Sequence, residues 1–300
     1  MTRKDQKADP DPMTDDSTAY TLIRPRHWAS GVIFGSPHSG CVYPDWFLGS
    51  TRLSLNLLRS SEDAFVDRMI AGAPDSGAVT ISARYPRAMV DLNRGADELD
   101  PLIIRDIPRN PQNQRTMAGL GVIPRVVSQG RIIHDQPMPR AEAERRLAAY
   151  WQPYHRALAG LIDEARHRFG QAILIDMHSM PHDALNHLTA PRPDIVLGNR
   201  HGKSASARVT DAIAQACQDQ GWRVRRNSPF SGAYIASTYG RPERNIHVVQ
   251  LEIDRSLYMD EATITPRPDF GIFAARVAGM VRALSTLDSG GSFGSSVAAE

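Results

Sequence analysis

Ala172-Ile-Leu-Ile-Asp-Met-His178 is the stretch whose reading decides the fold. Its four leading apolar residues are too few for the buried face of a surface helix. Between Gly170 and Pro181 they read as a strand buried on both sides, which belongs in the middle of a sheet. The stretch ends on Asp176 and His178, which the pleat turns to the same side. That end is the carboxyl end, where α/β sheets place their ligands. A single Asp-x-His is also what a strand stopping in a polar turn looks like, so the reading turns on whether other strands end the same way.

Two others do. Gly31-Val-Ile-Phe34 opens into Gly35-Ser-Pro-His-Ser-Gly40, a change from strand to turn chemistry that leaves His38 at a strand end among small residues. Ile246-His-Val-Val-Gln-Leu-Glu-Ile253 is a strong strand that ends near Glu252. Alternating helices and strands between these points predict one α/β domain. Residues 1–20 are polar and acidic and read as a disordered leader. Residues 21–287 form the domain, and the Gly/Ser-rich residues 288–300 read as a flexible tail.

Composition narrows the function. A formal charge of +2 with scattered basic residues offers no surface for nucleic acid or membrane, which leaves a small molecule as partner. Cys41 and Cys217 form no paired motif, which fits a reducing, cytoplasmic setting. No apolar run approaches the length of a bilayer span.

Along the chain, Ser60-Ser-Glu-Asp63 precedes a helical pattern. Glu62 and Asp63 there either favour a helix N-terminus or turn inward as a metal ligand. Gly77-Ala-Val-Thr-Ile-Ser82 is a strand feeding a segment with Arg84, Arg87, Asp91, Asn93 and Arg94. That density of charge fits a solvated edge strand, or a buried segment in which each group is paired or meets a ligand. Residues 95–140 lack periodicity and read as a long loop. Residues 140–168 are helical, with Pro153 kinking or dividing the run. Residues 204–220 form an amphipathic helix, residues 227–240 a loop suited to lie over a site, and residues 268–284 a last helix.

His38, the Asp63 segment, Asp91-Leu-Asn-Arg94, Asp176-Met-His178 and Gln250-Leu-Glu252, in this order, resemble the N-formylglutamate amidohydrolase family. Pro153-Tyr-His155, Leu197-Gly198, Gly232-Ala-Tyr-Ile235, Tyr239-Gly240 and Tyr258-Met-Asp-Glu261 extend the likeness over residues 33–261. That family looks like a distant relative of the zinc carboxypeptidases and aspartoacylases. The resemblance implies a single domain with a mixed central β-sheet flanked by helices, a zinc-carboxypeptidase-like (phosphorylase/hydrolase-like) fold, and a zinc-dependent hydrolase of N-acyl amino acids, with N-formyl-L-glutamate as the expected substrate. Carried over by residue, His38, Asp63 and His178 match the metal ligands for one divalent ion per chain, and Glu252 matches the glutamate beside the metal water. Cys41 stands where the carboxypeptidase pattern has a glutamate, so the acidic ligand comes from Asp63, with Glu62 as its rival. Arg87 also lies one residue closer to Asn93 than in aspartoacylases.

The chemistry is coherent with that set. Two imidazoles and a carboxylate leave zinc an open position, a neighbouring glutamate serves as general base and then acid, and Arg87 assists at the oxyanion. Asp176 and Glu62 are expected to orient the ligands. Asn93 and Arg94 suit the α-carboxylate of the substrate, unless Asp91 or Asp97 already neutralises Arg94. Arg241 or Arg244 is expected to meet a second carboxylate, and Tyr234 to touch substrate. Two other readings compete: an amidohydrolase for another N-acyl amino acid or small peptide, and a non-catalytic protein that binds an acidic metabolite.

Overall fold

Strand order follows from which segments are apolar on both faces. The computed structural model describes residues 19–108, 113–188 and 191–287. Its main strands are β1 (Tyr20–Ile23), β2 (Val32–Ser36) and β3 (Val79–Ala83). A short hairpin, β4 (Val126–Val127) and β5 (Arg131–Ile132), comes next in the chain. Then follow β6 (Ala172–Met180), β7 (Ile195–Gly198), β8 (Val224–Arg226) and β9 (Ile246–Asp254). The seven-stranded sheet runs β1-β3-β2-β6-β9-β7-β8. Strands β3, β2, β6 and β9 are mutually parallel, whereas β1 on β3 and β7 on β9 are antiparallel, so the sheet is mixed. Strand β6 is its central member and every residue in it is buried, as expected of a strand covered on both faces.

The pleat sorts side chains between two cores. Ile173, Ile175 and Met177 pack with Val249 and Leu251 under the helices Ala207–Asp219 and Phe270–Ser285. Leu174 and Val248 pack on the other face against Tyr154, Leu158 and Ile162 of the helix Gln152–Phe169. That helix stops because Gly170 takes a left-handed conformation at φ 74° and donates back to Arg166 O at 3.0 Å. Leu158 is fully buried, and its truncation to Ala costs about 2–5 kcal/mol. Asp176, His178, Gln250 and Glu252 share the parity of Leu174 and Val248. The face that is apolar at the start of the central strands therefore becomes polar at their carboxyl ends.

Several expectations are corrected. After Ala83 the chain leaves the sheet, so the charge-rich segment is neither an edge strand nor a buried strand but a folded loop with Asp91 and Asn93 buried. Pro153 stands where the helical run divides. It sits in the first turn of Gln152–Phe169, and the irregularity is the π turn Leu147–Trp151 that joins it to Arg140–Arg146. The stretch of residues 95–140 contains the helix Gln114–Met117 and the β4–β5 hairpin. Residues 227–240 contain the helix Tyr234–Tyr239. Tyr20, the last residue of the expected leader, opens β1. The rest of that leader up to residue 18, and the expected tail 288–300, lie outside the described residues.

Candidate metal centre and its cleft

The three expected ligands come from three different elements. His38 follows β2 in a loop held by a backbone bond from Asp63 N to His38 O at 3.0 Å. Gly40 lets that loop press on the next one, because a Cβ there would lie 2.1 Å from Tyr85 O. Asp63 lies between the short helices Leu55–Arg59 and Val66–Ile70, with Phe65 left-handed at φ 69°. It caps neither helix, and its carboxylate is turned to His178 and Arg255 instead. A non-glycine residue at positive φ is costly and recurs where a site must be shaped. His178 stands near the end of β6, and the parallel register places it beside Glu252 of β9, as Asp176 stands beside Gln250.

His38, Asp63 and His178 are buried and offer ligand atoms that all lie within 4.8 Å of one another. His178 Nδ1 is 2.9 Å from Asp63 Oδ2, and His38 Nδ1 is 3.4 Å from the same oxygen. The second contact is an approach without a hydrogen bond, so His38 Nδ1 is a buried nitrogen with no partner. The opposite nitrogens are both held by carboxylates: His38 Nε2 by Asp91 Oδ1 at 2.7 Å and His178 Nε2 by Asp176 Oδ2 at 3.0 Å. This fixes the rings with their Nδ1 edges facing Asp63, the arrangement that carboxylate-backed histidine ligands adopt around a divalent ion. A converging pair of imidazoles and one carboxylate, with an orphaned nitrogen among them, fits such an ion.

The surrounding charges are interlocked. Arg255 Nη2 donates to Asp63 Oδ1 at 3.0 Å, while its Nε donates to Ser179 Oγ at 3.1 Å. Arg87 Nη2 donates to Asp91 Oδ2 at 2.7 Å. Burial works against ionised Asp63 and Asp91. The bond from His178 and the adjacent imidazole of His38 nevertheless hold Asp63 well below the usual carboxylate range, and Arg87 and His38 do the same for Asp91. Burial would depress His178, yet Asp176, Asp63 and Glu252 raise it well above the ordinary histidine value. Glu252 is raised, chiefly by burial and against the pull of His178, and accepts a bond from Gln250 Nε2 at 2.7 Å. Gln250 Oε1 is in turn fixed by Ala233 N at 2.9 Å.

All three candidate ligands, Glu252, Arg87, Asn93 and Arg94 line one cleft of about 640 Å³. Asn93 is the more committed of the last pair. Its Oδ1 accepts from Ile235 N at 2.8 Å, and its Nδ2 lies 3.4 Å from Asp176 Oδ2 and 3.1 Å from His178 Nε2. Arg94 donates to Leu120 O and Asn93 O, both backbone acceptors, and pairs with neither Asp91 nor Asp97. The remaining expectations fall elsewhere. Glu62 faces Tyr43 and Arg59, not the histidines, because its neighbours supply a hydroxyl at 2.7 Å and a guanidinium at 3.2 Å. Tyr234 packs against Trp151 and His155. Arg241 and Arg244 are exposed and line no part of the cleft, since the turn after Gly240 carries them to the surface. Conversely, Asp91 as the brace of His38, Arg255 as the clamp of Asp63, and Gln250 as the holder of Glu252 went unassigned. Of these, Gln250 left a signal in the alternation Gln250-Leu-Glu252 that puts both on one face, and Asp91 in its place within Asp91-Leu-Asn-Arg94, whereas Arg255 left none.

Fold and cluster together define a class: a single α/β domain bearing a buried site of two histidines and one carboxylate, able to hold a divalent metal ion, at the carboxyl ends of its central strands. The family model described as N-formylglutamate amidohydrolase matches residues 30–259. The chain belongs to the N-formylglutamate amidohydrolase family. N-formylglutamate deformylases of Pseudomonas aeruginosa and Pseudomonas putida are 33% and 30% identical to it over 202 residues, which is 66% of this chain and 71% of each relative. The crystal structure of N-formylglutamate amidohydrolase from Ralstonia eutropha JMP134 aligns at a TM-score of 0.83 with 31% identity, covering 89% of this chain and 97% of that one. A gene product of Agrobacterium tumefaciens shares the fold, with a TM-score of 0.62 and 18% identity over 90% and 96% of the two chains. Among the described residues no helix is long and apolar enough to cross a membrane.

Proposed function

We propose that the protein is a zinc-dependent amidohydrolase that cleaves the N-formyl amide of an acidic amino acid, converting N-formyl-L-glutamate and water to L-glutamate and formate. The observation that carries this reading is the buried convergence of His38, Asp63 and His178 on the cleft that Glu252 also lines. The names of the relatives supply the substrate. When bound by these three residues, one divalent ion supplies a Lewis acid that polarises a carbonyl oxygen and makes a water acidic near neutral pH. Glu252 takes the proton of the attacking water and then delivers it to the departing amine as the C–N bond breaks. Gln250 holds one carboxylate oxygen of Glu252, which leaves the other for that transfer. Arg87, anchored on Asp91, donates its remaining N–H groups toward the oxyanion. Arg94 grips the α-carboxylate, and Asn93 acts chiefly by orienting His178 and Asp176. With both cysteines free, a cytoplasmic enzyme is part of the same proposal.

Elemental analysis of the purified protein and assays on a panel of N-formyl and N-acetyl amino acids test the reading together. About one zinc per chain, with activity lost to a chelator and restored by zinc, is expected. Glu252→Gln is expected to lower turnover by roughly a hundred-fold or more while metal stays bound, and His178→Ala to lose the metal. Activity near the native level in Glu252→Gln overturns the role of that residue. Metal binding without turnover of any N-acyl amino acid favours a protein that only binds an acidic metabolite, and a preference for an acyl group other than formyl favours a different amidohydrolase.

A further inference from the structure

The cleft is divided in charge. At its sheet end the acids Asp63 and Asp91 each hold a cation, Arg255 at 3.0 Å and Arg87 at 2.7 Å, so those arginines are already matched. At its outer end two more arginines, Arg94 and Arg115, line the same space, and among the described residues neither forms an ion pair. Arg115 is carried by the helix Gln114–Met117, whose start is pinned by Asn113 Oδ1 accepting from Arg115 N at 3.1 Å and Thr116 N at 3.2 Å. The chain then turns through Gly119, at φ 80°, and brings Leu120 O to Arg94 Nε at 2.9 Å. One short segment thus sets both guanidinium groups. Arg94 is lowered first by burial and then, against the pull of Asp91, by the like charges of Arg87 and Arg115. Glu98 also attracts Arg94 but forms no ion pair with it: its Oε1 accepts from Gly95 N at 2.8 Å and its Oε2 faces Asn113 Nδ2 at 3.4 Å. Two cations facing one cleft without an ion-pair partner among the described residues are matched when a ligand brings two carboxylates.

We propose that Arg115 recognises the side-chain carboxylate of the substrate while Arg94 holds the α-carboxylate, so that this pair makes the cleft selective for N-acyl amino acids with an acidic side chain. The assignment rests on the hydrolase reading above and deepens it by naming the residue that selects the diacid. It also removes the need for Arg241, whose Nη1 is spent on Ser237 O and Gly240 O.

The test compares N-formyl-L-glutamate with its neutral isostere N-formyl-L-glutamine in the zinc-loaded native enzyme and in Arg115→Met, Arg241→Ala and Arg244→Ala. Calorimetric titration of L-glutamate and L-glutamine runs alongside. Arg115 is exposed, so its variant is expected to fold, which a melting curve checks. The native enzyme should favour the diacid in kcat/KM, and Arg115→Met should cut that preference by about tenfold, the value of one charge-assisted contact. The affinity gap between glutamate and glutamine should shrink in parallel. Turnover without preference for the diacid, an undiminished preference in Arg115→Met, or its loss in Arg241→Ala or Arg244→Ala overturns the assignment and leaves the hydrolase reading standing. If the native protein hydrolyses no N-formyl amino acid, the hydrolase reading fails and the titration decides alone. Glutamate bound no more tightly than glutamine, or an unchanged gap in Arg115→Met, then overturns the role of Arg115.

Discussion

Arg255 shows how much of the site is made by residues that hold a candidate metal ligand in place rather than offer one. Its Nη2 occupies Asp63 Oδ1 and leaves Oδ2 alone to face the two Nδ1 atoms. Losing such a brace around a metal ligand typically costs about 10–100-fold in metal affinity. Arg255→Met is therefore expected to bind zinc at least about tenfold more weakly in competition with a chelator, with partial recovery in Arg255→Lys. Equal affinity in all three proteins would show that Asp63 needs no clamp. Arg94 makes a different prediction, because its guanidinium splits its donors between two backbone carbonyls and the cleft. Arg94→Lys keeps the charge but loses the planar fork, so KM for N-formyl-L-glutamate should rise by roughly tenfold with little loss of metal. A KM within about twofold of the native value would remove Arg94 from carboxylate binding.

Elements place these residues through contacts that allow no spare atoms. The loop after β2 lies so close to Tyr85 that a methyl group at Gly40 meets the Tyr85 backbone at under 3 Å on three atoms. Backbone cannot yield as a flexible side chain does, so Gly40→Ala must displace one of the two loops. It is expected to lower activity and zinc content together, and a fully loaded, fully active Gly40→Ala would show that the displacement stops short of His38. The π turn Leu147–Trp151 has a comparable role. Its extra residue turns Trp151 so that Nε1 donates to Arg94 O at 2.9 Å while the ring lies 4.0 Å from that of His155. A helix pattern read from sequence contains no mark of that insertion, because the apolar spacing on either side of a π turn still looks helical.

Across the whole molecule His155 joins three parts of the fold. It sits in the helix Gln152–Phe169, donates from Nε2 to Leu92 O at 2.9 Å, and accepts at Nδ1 from the Tyr239 hydroxyl at 2.8 Å. Burial lowers its pKa from 6.5 to about 4, and burial with the nearby charge of Arg146 does the same to His134. The folded protein thus keeps both rings neutral over a range in which the unfolded chain protonates them. The unfolded state binds more protons between pH 6.5 and about 4, so stability falls as pH drops through that window and is fully present above it. The loss amounts to roughly 3 kcal/mol for each histidine once the pH is below both values. Melting curves from pH 7 to 4 should show a falling Tm, with a shallower slope in His155→Gln, which retains a donor and an acceptor. An unchanged slope would assign the acid sensitivity to other groups.

The amino-acid sequence by itself determined the period-2 and helical patterns, hence an α/β domain with residues 172–178 as a central strand. It also determined that His38, His178 and Glu252 stand at strand ends, since strand ends are marked by local chemistry: apolar runs giving way to Gly, Pro and charge. Asp63 was legible as a candidate ligand only alongside Glu62. Their neighbours in space, Tyr43 and Arg59 for one and the two histidines for the other, chose between them. The tertiary structure alone decided which guanidiniums are matched. Arg87, Arg94, Arg115, Arg241 and Arg255 look alike in sequence, and each is distinguished by the acid, carbonyl or solvent that folding brings to it. Pairing of that kind depends on groups far apart in the chain, up to 192 residues for Arg255 and Asp63, and no local pattern encodes it.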